Sequence, residues 1–453
     1  MFRFYIALLI GKFTALGLKI ARRRIPYYPG YMALKYDRDF IKKIGKPDII
    51  IGVTGTNGKT TITSILTNIF KNKGYRVLNN DGFNIETGIA AAFLKDANLF
   101  GKAKADIAIL EIDEKQSIEL FKGIVPNYLI CTNLSRDSMR DNGNIDYILS
   151  RIKKNLPDQT KLILNSDDLI ACSLGDEREN IYFGLDRLST DKKKPYNIIS
   201  DLVYCPSCDS ELTYLNVKYN HVGRATCKPC NFANPEPDYL GKLKKQSLLI
   251  EEKNARYEMN IIQQSIFNIY NQLSIIALLR ELGYTIEEVK KDLSLVSLPD
   301  SRFDEEIVGD IRLVSQMAKG QNPVACSTAF DFVRNEPGNK AVILFLDDIM
   351  DMRDSVETVA WYYDVDFEFL DDKSVTQIII EGPRGLDVQA RLLIAGIKPS
   401  KIILTQDNED IIKRINLKNL DSIFLLHDIL RVDHTKVFKA RLSNHIRSIL
   451  KCK

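Results

Sequence analysis

Residues 47–61 read Pro-Asp-Ile-Ile-Ile-Gly-Val-Thr-Gly-Thr-Asn-Gly-Lys-Thr-Thr, and this stretch decides the fold. Its first half, Pro47–Val53, is a short apolar run rich in β-branched residues, which predicts a strand buried in a parallel sheet. A glycine-bearing turn follows, and helical periodicity runs from Thr61 to Lys73. The stretch therefore predicts a strand–loop–helix unit of an α/β fold.

The loop of this unit, Gly55-Thr56-Asn57-Gly58-Lys59-Thr60-Thr61, has the composition of a phosphate-binding loop. Its glycines allow backbone N–H groups to close around phosphate oxygens, and the helix N-terminus adds partial positive charge. Lys59 is expected to reach the outer phosphates of ATP, and the Thr60 hydroxyl to coordinate Mg²⁺. The usual spacing has glycine at the position of Val53, and Gly52 lies one residue off. The alternative is a glycine-rich turn capped by a threonine.

Acidic residues follow a second predicted strand, Ile107–Leu110. Carboxylate oxygens at the end of a strand beside a phosphate loop are the ligands that Mg²⁺ needs. Glu111, at the end of this strand, is the predicted magnesium ligand and a catalytic candidate together with Lys59. Asp113 or Glu114 is expected either to contact the ion through water or to be a solvated loop charge.

Four of the eight cysteines form two CxxC pairs, Cys205 with Cys208 and Cys227 with Cys230, separated by 18 residues. Pairs at this spacing bring four thiolates to the corners of a tetrahedron, which fits Zn²⁺. All four positions are filled, so the pattern predicts a structural zinc ribbon without an open catalytic position. An iron centre with the same ligands is the alternative. The remaining cysteines are scattered, as is typical of a reducing compartment.

The chain has 453 residues, of which 45% are hydrophobic and 27% charged, with a formal net charge of +4. These values indicate a soluble globular protein of two or three domains. No block of five or six like charges indicates a nucleic-acid tail.

The first 20 residues are mostly apolar, and Arg22-Arg23-Arg24 follow them. Lys12 and Lys19 interrupt the apolar stretch, and the triple arginine comes last, unlike the order of charge in a secretory signal. We expect a helix packed on its own protein or on a partner. The alternatives are an interfacial helix with the arginines at lipid headgroups, or a true anchor.

Alternating strand and helix patterns predict a parallel sheet covered on both faces. The predicted organisation is a leader with a short helix over 1–45, an ATP-binding domain over 46–300 and an α/β domain over 301–453. A small module rich in Cys, Pro, Asn and Gly is inserted at 203–237. A turn is predicted after the leader, at Pro26, Pro29 and Gly30. Further predicted strands and helices are Tyr128–Thr132, Lys161–Asn165, Gln264–Leu282, Ile286–Leu293, Ala341–Leu346, Gln377–Ile380, Leu386–Ala395, Lys401–Leu404 and Ser422–Leu426.

The phosphate loop and Glu111 together resemble the ATP site of the Mur ligase superfamily. Phe267-Asn268-Ile269-Tyr270-Asn271-Gln272 resembles that family's Asn-x-x-Asn helix, which implies that Asn268 contacts adenine and that Asn271 belongs to the same site. Ser301-Arg302-Phe303-Asp304 resembles its Gly-Arg-x-Glu hinge, with both outer positions changed, and Arg302 would contact the nucleotide. The fold implied is a Mur ligase-like central P-loop ATPase domain, with the ribbon inserted, and a C-terminal Rossmann-like α/β domain.

The four-cysteine ribbon narrows the resemblance to the MurT family, the ligase-like subunits of lipid II isoglutaminyl synthases. Further similar segments are Thr132–Asp137, Gln321–Pro323, Gly382–Asp387 and Trp361–Glu368. Only about 50 residues precede the phosphate loop, where other Mur ligases have a domain for a UDP-sugar. This difference favours a lipid-linked substrate.

The resemblance implies a defined reaction. ATP phosphorylates the α-carboxylate of D-Glu in the lipid II stem peptide, and ammonia then displaces phosphate to give D-isoglutamine. Ammonia would come from a GatD-like glutaminase partner in a heterodimer at the inner, cytoplasmic face of the plasma membrane. An aspartate of the C-terminal domain would complete the partner's catalytic triad, and Asp364 is preferred to Asp354 for this role. His427 is interpreted as a structural histidine.

Two other functions remain open from the sequence. A Mur-type peptide ligase, adding an amino acid in place of ammonia, shares the ATP, metal and acyl phosphate chemistry. A nucleotide-dependent scaffold or zinc-bearing nucleic-acid binder is the second, although the ribbon region carries only Lys218, Arg224 and Lys228 as basic residues.

Overall fold

The computed structural model describes residues 1–137, 143–175, 178–263, 265–296, 303–346, 359–405 and 408–451. The chain divides into two compact units. Unit 1 comprises Met1–Ser135, Asn144–Lys194 and Leu202–Leu298, and unit 2 comprises Arg136–Gly143, Pro195–Asp201 and Pro299–Lys453. The domain boundaries predicted after residues 45 and 300 stay predictions.

Unit 1 contains twelve strands among its described residues. They are β1 (Ile49–Thr54), β2 (Val77–Asn79), β3 (Ile107–Glu111), β4 (Tyr128–Cys131), β5 (Lys161–Asn165), β6 (Asn180–Leu185), β7 (Thr213–Tyr219), β8 (Val222–Cys227), β9 (Phe232–Ala233), β10 (Tyr239–Leu243), β11 (Ser247–Glu252) and β12 (Ala255–Asn260). Nine form one sheet of order β12-β11-β10-β6-β5-β4-β1-β3-β2, and β7, β8 and β9 form a separate three-stranded sheet. The strands predicted at 47–53, 107–110, 128–132 and 161–165 are confirmed within two residues.

The large sheet is mixed, so the prediction of a purely parallel sheet was wrong. Strands β1 to β6 and β10 pair in parallel, whereas β10 with β11 and β11 with β12 are antiparallel. The reason is the length of the connections. Only residues 244–246 and 253–254 join these last three strands, and so short a link joins antiparallel neighbours.

Ten helices accompany these strands in the described part of unit 1. They are α1 (Phe2–Ile20), α2 (Tyr28–Tyr36), α3 (Phe40–Lys43), α4 (Lys59–Asn72), α5 (Glu86–Asp96), α6 (Ser117–Leu120), α7 (Ile145–Lys153), α8 (Leu169–Cys172), α9 (Ile266–Glu281) and α10 (Ile286–Ser294). Among the helices that the structure describes, none combines the length and the apolar character needed to cross a membrane.

The turn predicted at Pro26–Gly30 was wrong at its second half, because α2 begins at Tyr28 and contains Pro29 and Gly30. Proline is tolerated in the first turn of a helix, where its missing N–H has no intrahelical acceptor. Gly30 is buried, and its backbone packs on Thr87 and Ala91 of α5. The glycine therefore serves close helix packing.

Unit 2 is a second α/β unit. Its described strands are β13 (Phe303–Val308), β14 (Ile311–Met317), β15 (Lys340–Phe345), β16 (Val375–Glu381), β17 (Ile402–Thr405) and β18 (Ser422–His427), and its helices are α11 (Pro323–Asn335), α12 (Gly385–Ile394), α13 (Asn408–Arg414) and α14 (Val432–Lys451). The sheet order is β13-β14-β18-β15-β16-β17, parallel except for the β13–β14 hairpin. Along β15, Val342 and Leu344 join the core on one face and Ala341 and Ile343 the core on the other.

Candidate nucleotide and metal sites

The loop between β1 and α4 needs glycine at two positions. Gly55 and Gly58 have φ angles of +121° and +98°, in the region that side chains disfavour. A Cβ on Gly55 would lie 2.3 Å from the Thr132 hydroxyl, and one on Gly58 would lie 2.2 Å from Oδ1 of Asn271. Both the backbone conformation and the close neighbours therefore depend on these glycines.

The loop is held from the side by residues that follow β4. The Asn57 N–H donates to Oδ1 of Asn133 at 3.2 Å, and the Thr132 hydroxyl donates to the Asn57 carbonyl at 2.6 Å. The Thr56 N–H donates to the Asn133 carbonyl at 2.8 Å, and the Ser135 N–H donates to the Thr56 hydroxyl at 2.9 Å. The neighbouring strand thus fixes the shape of the loop.

Lys59 lies over the loop in a buried ion pair. Its Nζ is 2.7 Å from Oε1 of Glu114 and donates to the Gly55 carbonyl at 2.6 Å. The same Glu114 oxygen accepts the Gly55 N–H at 3.1 Å. Burial raises the pKa of Glu114, although the Lys59 ammonium acts in the opposite direction. Glu114 is only 3% exposed, so the alternative of a solvated loop charge was wrong for this residue.

Thr60 and Glu111 form the predicted cation site. Glu111 pairs with Val53 in the β1–β3 register, so it lies at the same sheet edge as the loop. The Thr60 hydroxyl donates to Oε2 of Glu111 at 2.8 Å. A hydroxyl and a buried carboxylate this close are a donor set that fits Mg²⁺.

Two asparagines after β2 orient Glu111, and the sequence analysis missed both. Asn84 donates to Oε1 of Glu111 at 3.2 Å. Asn80 donates to the Glu111 carbonyl at 2.8 Å and accepts the Glu111 N–H at 2.9 Å. The polar run that follows the short strand β2 could have indicated them, because the carboxyl ends of parallel strands lie at the same edge of a sheet.

The second turn of α9 reaches the phosphate loop. Its N-cap Ser265 accepts the Asn268 N–H, and Asn271 donates to Oδ1 of Asn268 at 3.2 Å. Asn271 is buried, and its side chain is the nearest neighbour of Gly58. The structure therefore brings Asn271 to the loop, with Asn268 half-buried one helical turn before it.

The four cysteines Cys205, Cys208, Cys227 and Cys230 form one cluster. Their Sγ atoms all lie within 4.8 Å of one another, with Cys205 and Cys230 at 3.6 Å and Cys208 and Cys227 at 3.4 Å. Zn–S bonds of about 2.3 Å place tetrahedral sulfurs about 3.8 Å apart. The donor set and its spacing therefore fit a zinc ion.

The ribbon hairpin contacts the elements that support the phosphate loop. His221, between β7 and β8, lies with Nε2 at 3.0 Å from Oδ1 of Asp168, and both side chains are buried. Oδ2 of Asp168 accepts the Leu134 N–H at 2.7 Å, next to Asn133. Tyr219 of β7 also packs edge-on against Phe267, with ring centroids 4.8 Å apart. These contacts were not predicted from the sequence.

Two family models match separate parts of this chain. The Mur ligase middle domain matches residues 53–279, and the MurT ligase C-terminal family matches residues 320–428. The lipid II isoglutaminyl synthase (glutamine-hydrolyzing) subunit MurT of Streptococcus pneumoniae is 30% identical over 410 residues, covering 88% of each chain. The chain belongs to the MurT family.

Another member of the MurT family, from Staphylococcus aureus, carries the same printed name and is 28% identical over 411 residues, covering 88% of this chain and 90% of that protein. A pseudomurein peptide ligase type C from Methanothermus fervidus shares the fold, with a TM-score of 0.67 and 18% identity over 89% of this chain and 81% of that chain.

In this MurT-family chain, Asp364 ends a 3₁₀ helix of unit 2, Val359–Asp364. Its Oδ2 atom is buried and lies 3.8 Å from Arg136, whose Nε is 2.6 Å from Asp201. Burial raises the pKa of Asp364, against the effect of Arg136. The carboxylate therefore faces a cation of its own unit. Asp354 and Arg302 lie outside the described residues.

Proposed function

We propose that this chain is the ligase subunit of a lipid II isoglutaminyl synthase. An oxygen of the D-Glu α-carboxylate attacks the γ-phosphorus of ATP, and ADP leaves. Ammonia then attacks the acyl carbon, phosphate leaves, and the nitrogen loses a proton to give D-isoglutamine. The observation that carries the proposal is the phosphate loop with Lys59 above it and Glu111 at its edge, in a chain similar along most of its length to MurT subunits.

Lys59 is suited to neutralise charge on the transferred phosphoryl group. Its ammonium is already fixed by the Gly55 carbonyl and Glu114, so little reorganisation is needed when phosphates arrive. Before ATP binds, the buried Glu114 would act as a positioning residue that holds the Lys59 ammonium over the loop. A bound phosphate would then compete with Glu114 for that ammonium.

Thr60 and Glu111 would hold the magnesium ion, with Asn84 bonded to the Glu111 carboxylate and Asn80 to the Glu111 backbone. When bound, the ion neutralises charge on the outer phosphates. The backbone N–H groups at the N-terminus of α4 would face the same phosphates. Those of Gly55, Thr56 and Asn57 are already donated to Glu114 and Asn133. Asn268 would contact adenine, and Asn271, beside Gly58, would belong to the same nucleotide site.

The four-cysteine cluster would hold zinc in a structural role. Its four thiolates complete a tetrahedron, so no position is left for a reacting group. The contacts of His221 with Asp168 and of Tyr219 with Phe267 would let the ribbon brace the nucleotide site.

Ammonia would come from a glutaminase partner of the GatD type. Ammonium, which is not nucleophilic, dominates free ammonia near neutral pH, and the MurT relatives are named as subunits of glutamine-hydrolysing synthases. An aspartate from this chain would orient the partner's histidine. Asp364 faces Arg136 and is only 19% exposed, which weighs against it and makes Asp354 the candidate we favour. The complex would work at the cytoplasmic face of the membrane.

The test is amidation of lipid II by the chain purified with its glutaminase partner, followed by mass spectrometry of the stem peptide. Wild type is expected to amidate with ATP and glutamine. Lys59→Ala should lower the rate at least about 100-fold, because charge on the phosphoryl group loses its counterion. Lys71→Ala, at the exposed far end of α4, is the matched control.

Two results would contradict the proposal. One is the absence of amidated product with either glutamine or ammonium as the nitrogen source. The other is a product that carries an added amino acid, which would identify a peptide ligase instead.

A further inference from the structure

Helix α1 has one buried face. Phe4, Ala7, Leu8 and Gly11 are buried against α2, α3 and α5, and Lys12 donates to the Leu94 carbonyl at 2.7 Å. These contacts fix the rotation of the helix about its axis, so its opposite face points away from the rest of unit 1.

That opposite face is a continuous apolar stripe. Large side chains recur every three or four residues, which places them on one side of the helix. They are Phe2, Tyr5, Leu9, Phe13, Leu16 and Ile20, with exposed fractions of 81, 40, 45, 68, 53 and 75%. Soluble proteins rarely present so continuous an apolar surface unless it binds a partner or a membrane.

The net charge of residues 1–36 indicates which kind of partner the apolar stripe binds. The first acidic residue of the chain is Asp37, and residues 1–36 contain seven Lys or Arg residues. They therefore carry a formal side-chain charge of +7, while residues 37–453 carry −3. Arg22, Arg23 and Arg24 are exposed directly after the stripe ends. An apolar face bordered by arginines complements a bilayer with anionic headgroups.

Aromatic residues of the next helix extend this surface. Tyr27, Tyr28 and Tyr31 are 43, 38 and 44% exposed, and tyrosine favours the boundary between lipid and water. Gly30, among them, packs on the first turns of α5. Since α5 starts two residues after Asn84, which donates to Glu111, α2 packs on a helix that begins beside the predicted magnesium site.

We propose that α1 and the segment through Tyr31 bind the surface of an anionic bilayer. The stripe enters the interface, and Arg22, Arg23 and Arg24 contact lipid phosphates. The binding rests on this surface alone, whereas its purpose, bringing the site to a lipid-linked substrate, rests on the proposed function.

The experiment is vesicle flotation of the full chain with its glutaminase partner. Vesicles of phosphatidylcholine and phosphatidylglycerol in equal parts are compared with pure phosphatidylcholine. Wild type should float with the anionic vesicles, and added salt should weaken the binding. Replacing Arg22, Arg23 and Arg24 by Gln should weaken it about 100-fold. The double variant Phe13→Ser, Leu16→Ser should weaken it at least about tenfold.

Matched controls separate this surface from general charge and hydrophobicity. Lys192, Lys193 and Lys194 form another exposed basic run, and Leu393 and Ile394 are another exposed apolar pair. Replacing the lysines by Gln, or Leu393 and Ile394 by Ser, should leave vesicle binding unchanged. Circular dichroism and the amidation rate with detergent-solubilised lipid II should match wild type for every variant, because none of these residues touches the nucleotide site.

Three results would overturn the proposal. The first is wild type that does not float with anionic vesicles, and the second is unchanged binding after the Arg or Phe13 and Leu16 substitutions. The third is self-association, measured by sedimentation, that Phe13→Ser abolishes while vesicles are not bound, since the stripe would then be a protein interface. Flotation needs neither ATP nor lipid II, so a failed amidation assay and a failed flotation assay are distinguishable.

Discussion

Glu111 is held by hydrogen bonds at both its carboxylate and its backbone. Its two carboxylate oxygens accept from Thr60 and Asn84, and its backbone exchanges hydrogen bonds with Asn80. A carboxylate fixed in this way does not have to reorganise to bind a cation, which is the property that a catalytic metal ligand needs.

Glu111→Gln should lower the rate of lipid II-dependent ADP release at least about 100-fold and raise the Mg²⁺ concentration needed for half-maximal rate. The amide keeps the size of the side chain but removes the negative charge that binds the cation. The measurement is a Mg²⁺ titration of ADP release. Glu119→Gln, at an exposed glutamate paired with Lys122, is the control, and an unchanged Mg²⁺ dependence in Glu111→Gln would place the cation elsewhere.

His427 is a buried histidine at the end of β18, as the structural interpretation requires. Its Nδ1 lies 2.9 Å from the Asp428 carbonyl, and burial lowers its pKa despite that hydrogen bond. The folded protein therefore keeps the ring neutral, while the unfolded chain takes up a proton near the ordinary value of about 6.5.

The free energy of unfolding should accordingly fall as the pH drops from about 7 to about 5, by at most about 1.4 kcal/mol per pH unit from this residue. His427→Gln should remove that part of the slope. Urea denaturation across this pH range measures it, with His445→Gln in α14 as the control. An identical slope in His427→Gln and wild type would contradict the assignment.

At the scale of elements, we propose that the ribbon braces the nucleotide site as well as holding a metal. Its four cysteines tie the loop before β7 to the end of β8 and the turn after it, so a bound metal would add to the order that the buried side chains of the small sheet provide. The ribbon then contacts Asp168 through His221 and Phe267 through Tyr219. Loss of the metal should therefore weaken ATP binding at the nucleotide site.

Cys208→Ser should abolish zinc binding, measured by elemental analysis, and lower the Tm by about 5 °C or more. It should also raise the KM for ATP more than it lowers kcat, because the ribbon positions the nucleotide site without touching the reacting atoms. Cys172→Ser, outside the cluster, is the control. A wild-type KM for ATP in zinc-free protein would show that the ribbon does not brace the site.

For the whole molecule, the proposed interaction with a glutaminase makes a prediction about two aspartates. Asp354→Asn should lower glutamine-driven amidation about 10³-fold or more while ammonium-driven amidation persists, because only the partner's histidine loses its orienting carboxylate. Asp364→Asn should not show this selective loss, since Asp364 faces Arg136 within its own unit. The reverse result would assign the role to Asp364. Both nitrogen sources are measured for both variants.

The parallel core of both sheets and the helices around it were predictable because buried strands and amphipathic helices have distinct periodicities. The hairpins β10–β11–β12 and β13–β14 were missed, because strand polarity and exposure at a sheet edge leave weaker patterns in the chain. The turn predicted from Pro29 and Gly30 was wrong, because these residues, although typical of turns, lie here in the first turn of α2 and allow it to pack closely on α5.

The sequence by itself determined the phosphate loop, the Glu111 candidate and the four-cysteine module, because each depends on residue types at short, regular spacing. Only the tertiary structure decided that Glu114 pairs with Lys59, that two asparagines orient Glu111 and that His221 reaches Asp168. Those contacts join residues far apart in the chain, and they depend on strand order and register. The tertiary structure also decided which face of α1 is exposed, because the helix is apolar on several sides and only its packing distinguishes them.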